Sequence, residues 1–174
     1  VTPDELQPLM TGYQAGSMEA FERLYASLAP RLLAYLRWLT RDAALAQDLL
    51  QEAFLQLHRS RHVYRPDLAV RPWAFAIARH VWLMDRRTRH RRPVTTEDLP
   101  ELPVPADAEA LADREAVRGA LVRLLPDRRE ALLLHHVWGF SFAEIGQLLG
   151  IRETAARLRS SRGMADLRDA LRKG

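Results

Sequence analysis

Residues 141–163 run Ser-Phe-Ala-Glu-Ile-Gly-Gln-Leu-Leu-Gly-Ile-Arg-Glu-Thr-Ala-Ala-Arg-Leu-Arg-Ser-Ser-Arg-Gly and carry Arg157, Arg159 and Arg162 beyond a Leu-Gly-Ile turn. Guanidinium groups pair with guanine edges and with phosphates, so a helix bearing them suits a DNA major groove. A second grouping is acidic and amidic. Asp48, Gln51, Glu52 and Gln56 fall on one face at helical spacing, and Asp48 and Glu52, four residues apart, repel by a few tenths of a kcal/mol unless a basic group sits near. Such a face suits a basic protein partner, although a solvated acidic surface is the simpler account of any isolated pair. The third grouping spans residues 73–92, where aromatic side chains precede Arg86, Arg87, Arg89, Arg91 and Arg92. The arginines can follow phosphates, and Trp73, Phe75 and nearby Tyr64 offer rings for bases to stack on if they are exposed. Core packing is the expected role of Trp82 and Ile77.

The histidines offer less. His58 and His62 are spaced to share a helix face, but no third ligand completes a metal site, and His135 and His136 are adjacent and expected to point apart. No Ser-His-Asp order, glycine-rich phosphate loop or paired catalytic carboxylate emerges. Neither an enzyme activity nor a metal or cofactor is expected.

Helices must position all of these groups. Leu and Ala dominate, Val and Ile are few, and helix-period apolar spacing runs throughout, which predicts an all-α fold. One helix is expected over about residues 18–28, with Phe21, Leu24, Tyr25 and Leu28 as its stripe, and a second after Pro30 with Leu32, Leu33, Leu36 and Leu39 buried. A third covers about 43–59, its core stripe formed by Ala46, Leu49, Leu50, Ala53, Phe54 and Leu57. A fourth starts near Pro72. Beyond it, residues 108–124 read as helical, Pro126 marks a helix start, and a capping box between Ser141 and Glu144 opens the helix before Gly150. Gly150 supplies the positive φ that the tight exit requires. Arg152 cannot accept as an N-cap, which costs the following helix about 1 kcal/mol unless another group substitutes.

Charge divides the chain in the same places. The sequence of 174 residues has a net charge of +4, but residues 1–93 carry 14 arginines against 9 acids, residues 94–113 carry 6 acids and no base, and residues 114–174 carry 12 bases against 7 acids. Pro93, Pro100, Pro103 and Pro105 interrupt the acidic stretch. The expected domains are therefore 1–92 and 114–174, joined by an acidic, proline-rich linker at 93–113. Basic helical modules are attracted to polyanions. Absence of cysteine excludes a disulfide scaffold, and with no signal peptide and no uncharged span the expected location is cytoplasmic, without membrane insertion.

Three segments together resemble a family. Asp48-Leu49-Leu50-Gln51-Glu52-Ala53-Phe54 is similar to the core-binding signature of bacterial extracytoplasmic-function sigma factors, of the sigma-70 superfamily. Trp73 through Arg87 resembles their aromatic-to-basic helix, and Leu125-Pro126 through Leu149-Gly150-Ile151 their promoter-binding helix-turn-helix. The resemblance covers the chain from about residue 18 onward. It implies a non-enzymatic subunit with an N-terminal bundle of region 2 type and a C-terminal domain of region 4 type, which recruits RNA polymerase core to promoters.

What the resemblance implies can be stated residue by residue. Asp48, Gln51 and Glu52 dock on the polymerase clamp helices, and the C-terminal domain meets the flap of the large subunits. The loop at about 61–71 helps to hold a base flipped from the melted −10 element, with Tyr64 as its stacking residue. Trp73, Phe75, Arg79 and His80 contact the same element, His80 standing where the family usually has Asn, and Arg86, Arg87 and Arg89 follow its backbone. Thr154, Arg157 and Arg159 read the −35 element as duplex, with Arg162 on phosphate. Ala155, Ala156 and Leu158 depart from the usual recognition helix, and Met164, Ala165 and Asp166 replace its basic tail. The resemblance also implies a monomer outside its complexes, held inactive by an anti-sigma factor, without a further C-terminal domain. Other readings are a stand-alone helix-turn-helix repressor or activator, which would not need the Asp48–Glu52 face, and a helical protein adaptor, which would leave the arginine run unexplained.

Overall fold

The computed structural model describes residues 3–89 and 111–173, all helices and turns with no strand among the described residues. They form two compact units. The expected linker, with Arg91 and Arg92, lies outside the described residues except for its last positions, Leu111–Asp113, which are helical.

The first unit has four helices: α1 (Pro3–Gln14), α2 (Met18–Thr40), α3 (Ala43–Ser60) and α4 (Val70–Arg89), with a single 3-10 turn at Arg61–Val63. Helix α1 lies outside the sequence-based expectations. It packs on α2 and α4 through Leu6, Leu9, Met10 and Tyr13, all buried. The two helices expected on either side of Pro30 are one. A proline inside a helix costs about 3 kcal/mol, but Leu28, Ala29, Leu32, Tyr35 and Leu36 are buried in an unbroken stripe across it, and Pro30 itself lies on the exposed side. Burial of that stripe outweighs the lost hydrogen bond. The stripe differs in detail from expectation: Tyr35 takes the place given to Leu33 and Leu39, which are half-buried, and Tyr25 is exposed with its ring 4.4 Å from that of Phe54.

The α2–α3 corner is tight because Arg41 adopts a left-handed conformation at φ 56° and Asp42 then caps α3, its Oδ1 accepting from the Leu45 amide at 3.0 Å. The buried face of α3 is the one expected: Ala46, Leu49, Leu50, Ala53, Phe54 and Leu57.

The second unit comprises α5 (Leu111–Arg123), α6 (Pro126–His136), α7 (Phe142–Leu149) and α8 (Glu153–Lys173). Pro126 stands at the first position of α6, where its missing N–H costs nothing. The long α8 packs against the other three helices. Leu121, Leu132, Leu134, Phe140, Ile145 and Ala156 fill the core.

Candidate nucleic-acid and protein interfaces

Helix α3 turns its apolar stripe inward, which leaves Asp48, Gln51 and Glu52 exposed together. Arg59 approaches Glu52 at 3.9 Å, an exposed pair that only partly offsets the repulsion between the two carboxylates. Leu49, Glu52 and Gln56 also form one wall of a groove of about 370 Å³, whose other wall is His80, Val81, Met84, Asp85 and Thr88 of α4. The acidic face and the outer face of α4 therefore adjoin.

On α4, Trp73, His80 and Arg87 recur every seven residues and form one outward row, with Trp73 half-buried and the other two exposed. Arg86 lies on the flank, its guanidinium 5.0 Å from the centre of the Trp82 ring. Trp82, expected in the core, is half-buried and supports that arginine. Arg79 is half-buried, and Arg89 belongs to the last turn of the helix.

Two of the expected stacking rings are unavailable. Phe75 is 0% exposed, its ring 5.0 Å from that of Tyr35, because it falls on the core side of α4. Tyr64 is buried against Trp73, with ring centres 4.8 Å apart. Its hydroxyl hydrogen is shared between Gln7 Oε1, at 2.9 Å, and the Leu68 carbonyl oxygen. Burial is the main cause that raises the pKa of this phenol. Tyr64 thus holds the 61–69 loop in shape and presents no ring face to a base. Helix α1 fastens the same loop, since the Gln14 amide nitrogen donates to the carbonyls of Arg61 at 2.7 Å and Tyr64 at 3.0 Å, and that of Gln7 donates to Pro66. The outer side of the loop consists of His62, Val63 and Arg65, with Arg65 chelating Asp67.

His58 and His62 do not share a helix face, because α3 ends at Ser60 and His58 hydrogen-bonds to the Tyr13 hydroxyl. No cluster able to hold a metal occurs among the described residues.

In the second unit the capping box forms as expected. The Ser141 amide donates to Glu144 Oε2 at 2.8 Å, and the Glu144 amide donates to Ser141 Oγ at 3.2 Å. Gly150 closes α7 at φ 68°. Gly146 does a job that spacing alone did not reveal: a Cβ on it would lie 2.9 Å from the Ile151 carbonyl oxygen, so only glycine lets the start of α8 cross so close to α7. Gly163 does the same where α8 crosses α6, since a Cβ there would lie 2.8 Å from the Arg128 carbonyl oxygen. A small residue at the crossing of two helical stripes is the signal that could have found them. Where Arg152 offers no cap acceptor, Glu153 places a carboxylate in the first turn of α8, favourable to the helix dipole.

The arginines of α8 do not act as one set. Two residues on, a helix has turned by about 200°, so Arg157 and Arg159 lie on opposite flanks. Arg157 is exposed, paired with Glu153 at 2.9 Å and placed 4.8 Å over the Phe142 ring. Arg159 turns toward α6 and meets Asp127 at 3.5 Å. Between the flanks, Thr154, Leu158, Ser161 and Ala165 make the outward row, with Arg162 exposed beside it. Asp166, in place of a basic tail, binds Arg128 at 2.8 Å and ties α8 to α6. His135 and His136 do not point apart. Their rings meet edge to face at 4.8 Å, and His135 stacks on Phe142 at 4.1 Å with its Nδ1 at 2.8 Å from the Phe140 carbonyl oxygen.

Comparison with known proteins bears on both units. Residues 24–92 match the family Sigma-70 region 2, and residues 114–167 match Sigma-70, region 4. The chain is 41% identical to the RNA polymerase sigma factor CarQ of Myxococcus xanthus over 168 residues, 93% of this chain and 95% of that protein. It is 31% identical to the ECF RNA polymerase sigma factor SigM of Mycobacterium tuberculosis, over 91% of this chain and 81% of that one. Among solved structures, the sigma factor RpoE from Bartonella quintana, crystallised with the anti-sigma factor NepR, shares the fold at a TM-score of 0.73 and 23% identity, covering 89% of this chain and 98% of that one. No helix among the described residues is long and apolar enough to cross a membrane.

Proposed function

The chain belongs to the extracytoplasmic-function sigma factors of the sigma-70 family, which direct RNA polymerase to promoters, and on that footing we propose how its surfaces divide the work. Residues 1–92 bind polymerase core and the melted −10 element, residues 93–113 link, and residues 114–174 bind the −35 element as duplex. Asp48, Gln51 and Glu52 dock on the clamp helices of the polymerase. The row Trp73–His80–Arg87, with Arg79 and Arg86 on its flank and Arg89 farther along α4, receives the melted strand, and the outer side of the 61–69 loop takes the place of Tyr64 against a flipped base. Thr154 and Arg157 face base edges, and Arg162 faces phosphate. Arg159 braces α8 against α6 through Asp127 and meets DNA only at the rim.

The observation that carries this division is that Glu52 of the acidic face of α3 and His80 of the outward row of α4 line one groove. A polymerase element engaged on the first would deliver DNA to the second. The factor has no catalysis of its own and acts in the cytoplasm. An anti-sigma protein holds it inactive, a reading supported by the recorded complex of the RpoE relative with NepR.

The test is core-dependent transcription from a promoter library. Purified chain with core polymerase is expected to select promoters bearing −10 and −35 elements, and an Asp48→Arg/Glu52→Arg variant is expected to lose core affinity by about tenfold or more, ~1.4 kcal/mol, with its thermal unfolding unchanged because both positions are exposed. Dimeric binding of a palindromic duplex without core, or full core binding by the double variant, would overturn the proposal.

A further inference from the structure

The residue at the centre of the outward row of α8 is apolar. Leu158 is 50% exposed and lies between Thr154 and Ser161, opposite the buried Ala156, Ser160 and Gly163. Arg157 and Arg162 flank it on either side. A side chain in that position meets the floor of any groove the helix enters, with Arg157 reaching base edges on one side of it and Arg162 the phosphate wall on the other. Leucine neither donates nor accepts a hydrogen bond. The one apolar feature a base pair offers in the major groove is the 5-methyl group of thymine.

We infer that Leu158 is a specificity-determining residue that reads a thymine methyl group within the −35 element, an inference resting on the proposal that α8 reads duplex DNA there. The contact confers a preference for thymine through exclusion of water from two apolar surfaces, and it requires no change in the fold, since Leu158 contributes little to the core. It also gives a physical sense to a large apolar side chain in the middle of an outward row whose other members are Thr154, Ser161 and Ala165. Arg162 fixes where the helix sits, Arg157 reads its own base edge, and Leu158 discriminates at the base pair beneath it.

The experiment uses the full chain assembled with core polymerase and a duplex promoter selected from a library randomised upstream of the −10 element. Each thymine of the enriched −35 region is replaced in turn by deoxyuridine, which removes only the methyl group. One replacement is expected to weaken holoenzyme binding about fourfold, the equivalent of ~0.8 kcal/mol for one buried carbon. Leu158→Ala and Leu158→Ser are expected to bring the thymine-to-uracil ratio at that position close to one, while uracil at the other positions stays neutral. Because the readout is a ratio within one protein, a change in overall stability does not mimic it. An enriched element in which no thymine methyl matters, or a ratio undiminished in Leu158→Ala, overturns the role of Leu158 while leaving α8 as the reading helix. Failure to enrich any upstream element overturns the duplex-reading proposal itself and this inference with it.

Discussion

His136 binds a proton less readily than a free imidazole, because partial loss of solvation, and then the charge of the neighbouring His135, both oppose its protonated form. The sign of the consequence follows from linkage. In the unfolded chain the group titrates near 6.5, so as pH falls below that value the unfolded state takes up a proton that the folded state resists. The contribution to stability is complete above the unfolded pKa and is lost as pH falls through the lower, folded one. Thermal unfolding is therefore expected to show a midpoint falling between about pH 7 and pH 5, with a shallower fall in His136→Gln. Equal slopes in the two proteins would show that His136 is not responsible. The same run of ring contacts, His136 to His135 to Phe142 to Arg157, connects the end of α6 to α8. At this scale the sequence misassigned Tyr64 and Phe75, since a ring in an amphipathic helix or loop declares its type but not which way it faces.

At the scale of elements, three glycines separate conformational from packing roles. Gly146 and Gly163 sit where α8 crosses α7 and α6 within contact of backbone oxygens, while nothing lies within 4 Å of a Cβ on Gly119, exposed on α5. Gly146→Ala and Gly163→Ala are each expected to destabilise the second unit by about 1–3 kcal/mol, as overpacking does. Gly119→Ala is expected to stabilise by about 0.5–1 kcal/mol, the ordinary gain in a helix interior. Denaturant unfolding monitored by circular dichroism would check all three, and a neutral Gly146→Ala would refute the close crossing. The continuous α2 teaches a related lesson. The apolar phase from Leu24 to Leu36 runs through Pro30 without a shift, so burial of the stripe, rather than the proline on which the expectation of two helices rested, decides that α2 is one helix.

For the whole molecule, the two basic bodies point to binding governed by phosphate neutralisation. Arg162 is exposed beside the outward row of α8 and is expected to contact phosphate. Its removal in Arg162→Ala should reduce the slope of log affinity against log salt by about 0.9 and weaken binding to all promoters alike, as read by titration of holoenzyme on promoter duplex at several salt concentrations. A changed sequence preference with an unchanged slope would instead place Arg162 on a base. Much of this protein was legible beforehand. Apolar periodicity placed α3 and its exposed acidic face, the Ser141–Glu144 box and Gly150 placed the helix-turn-helix, and charge separated two bodies, because these depend on local spacing and backbone conformation. Tertiary structure alone decided the rest. Only packing put α1 against the 61–69 loop, buried Tyr64 and Phe75, sent Arg159 to Asp127 and Asp166 to Arg128, and left Leu158 facing outward, because each of those outcomes depends on which other helix lies across the residue, and that is set by contacts far apart in the chain.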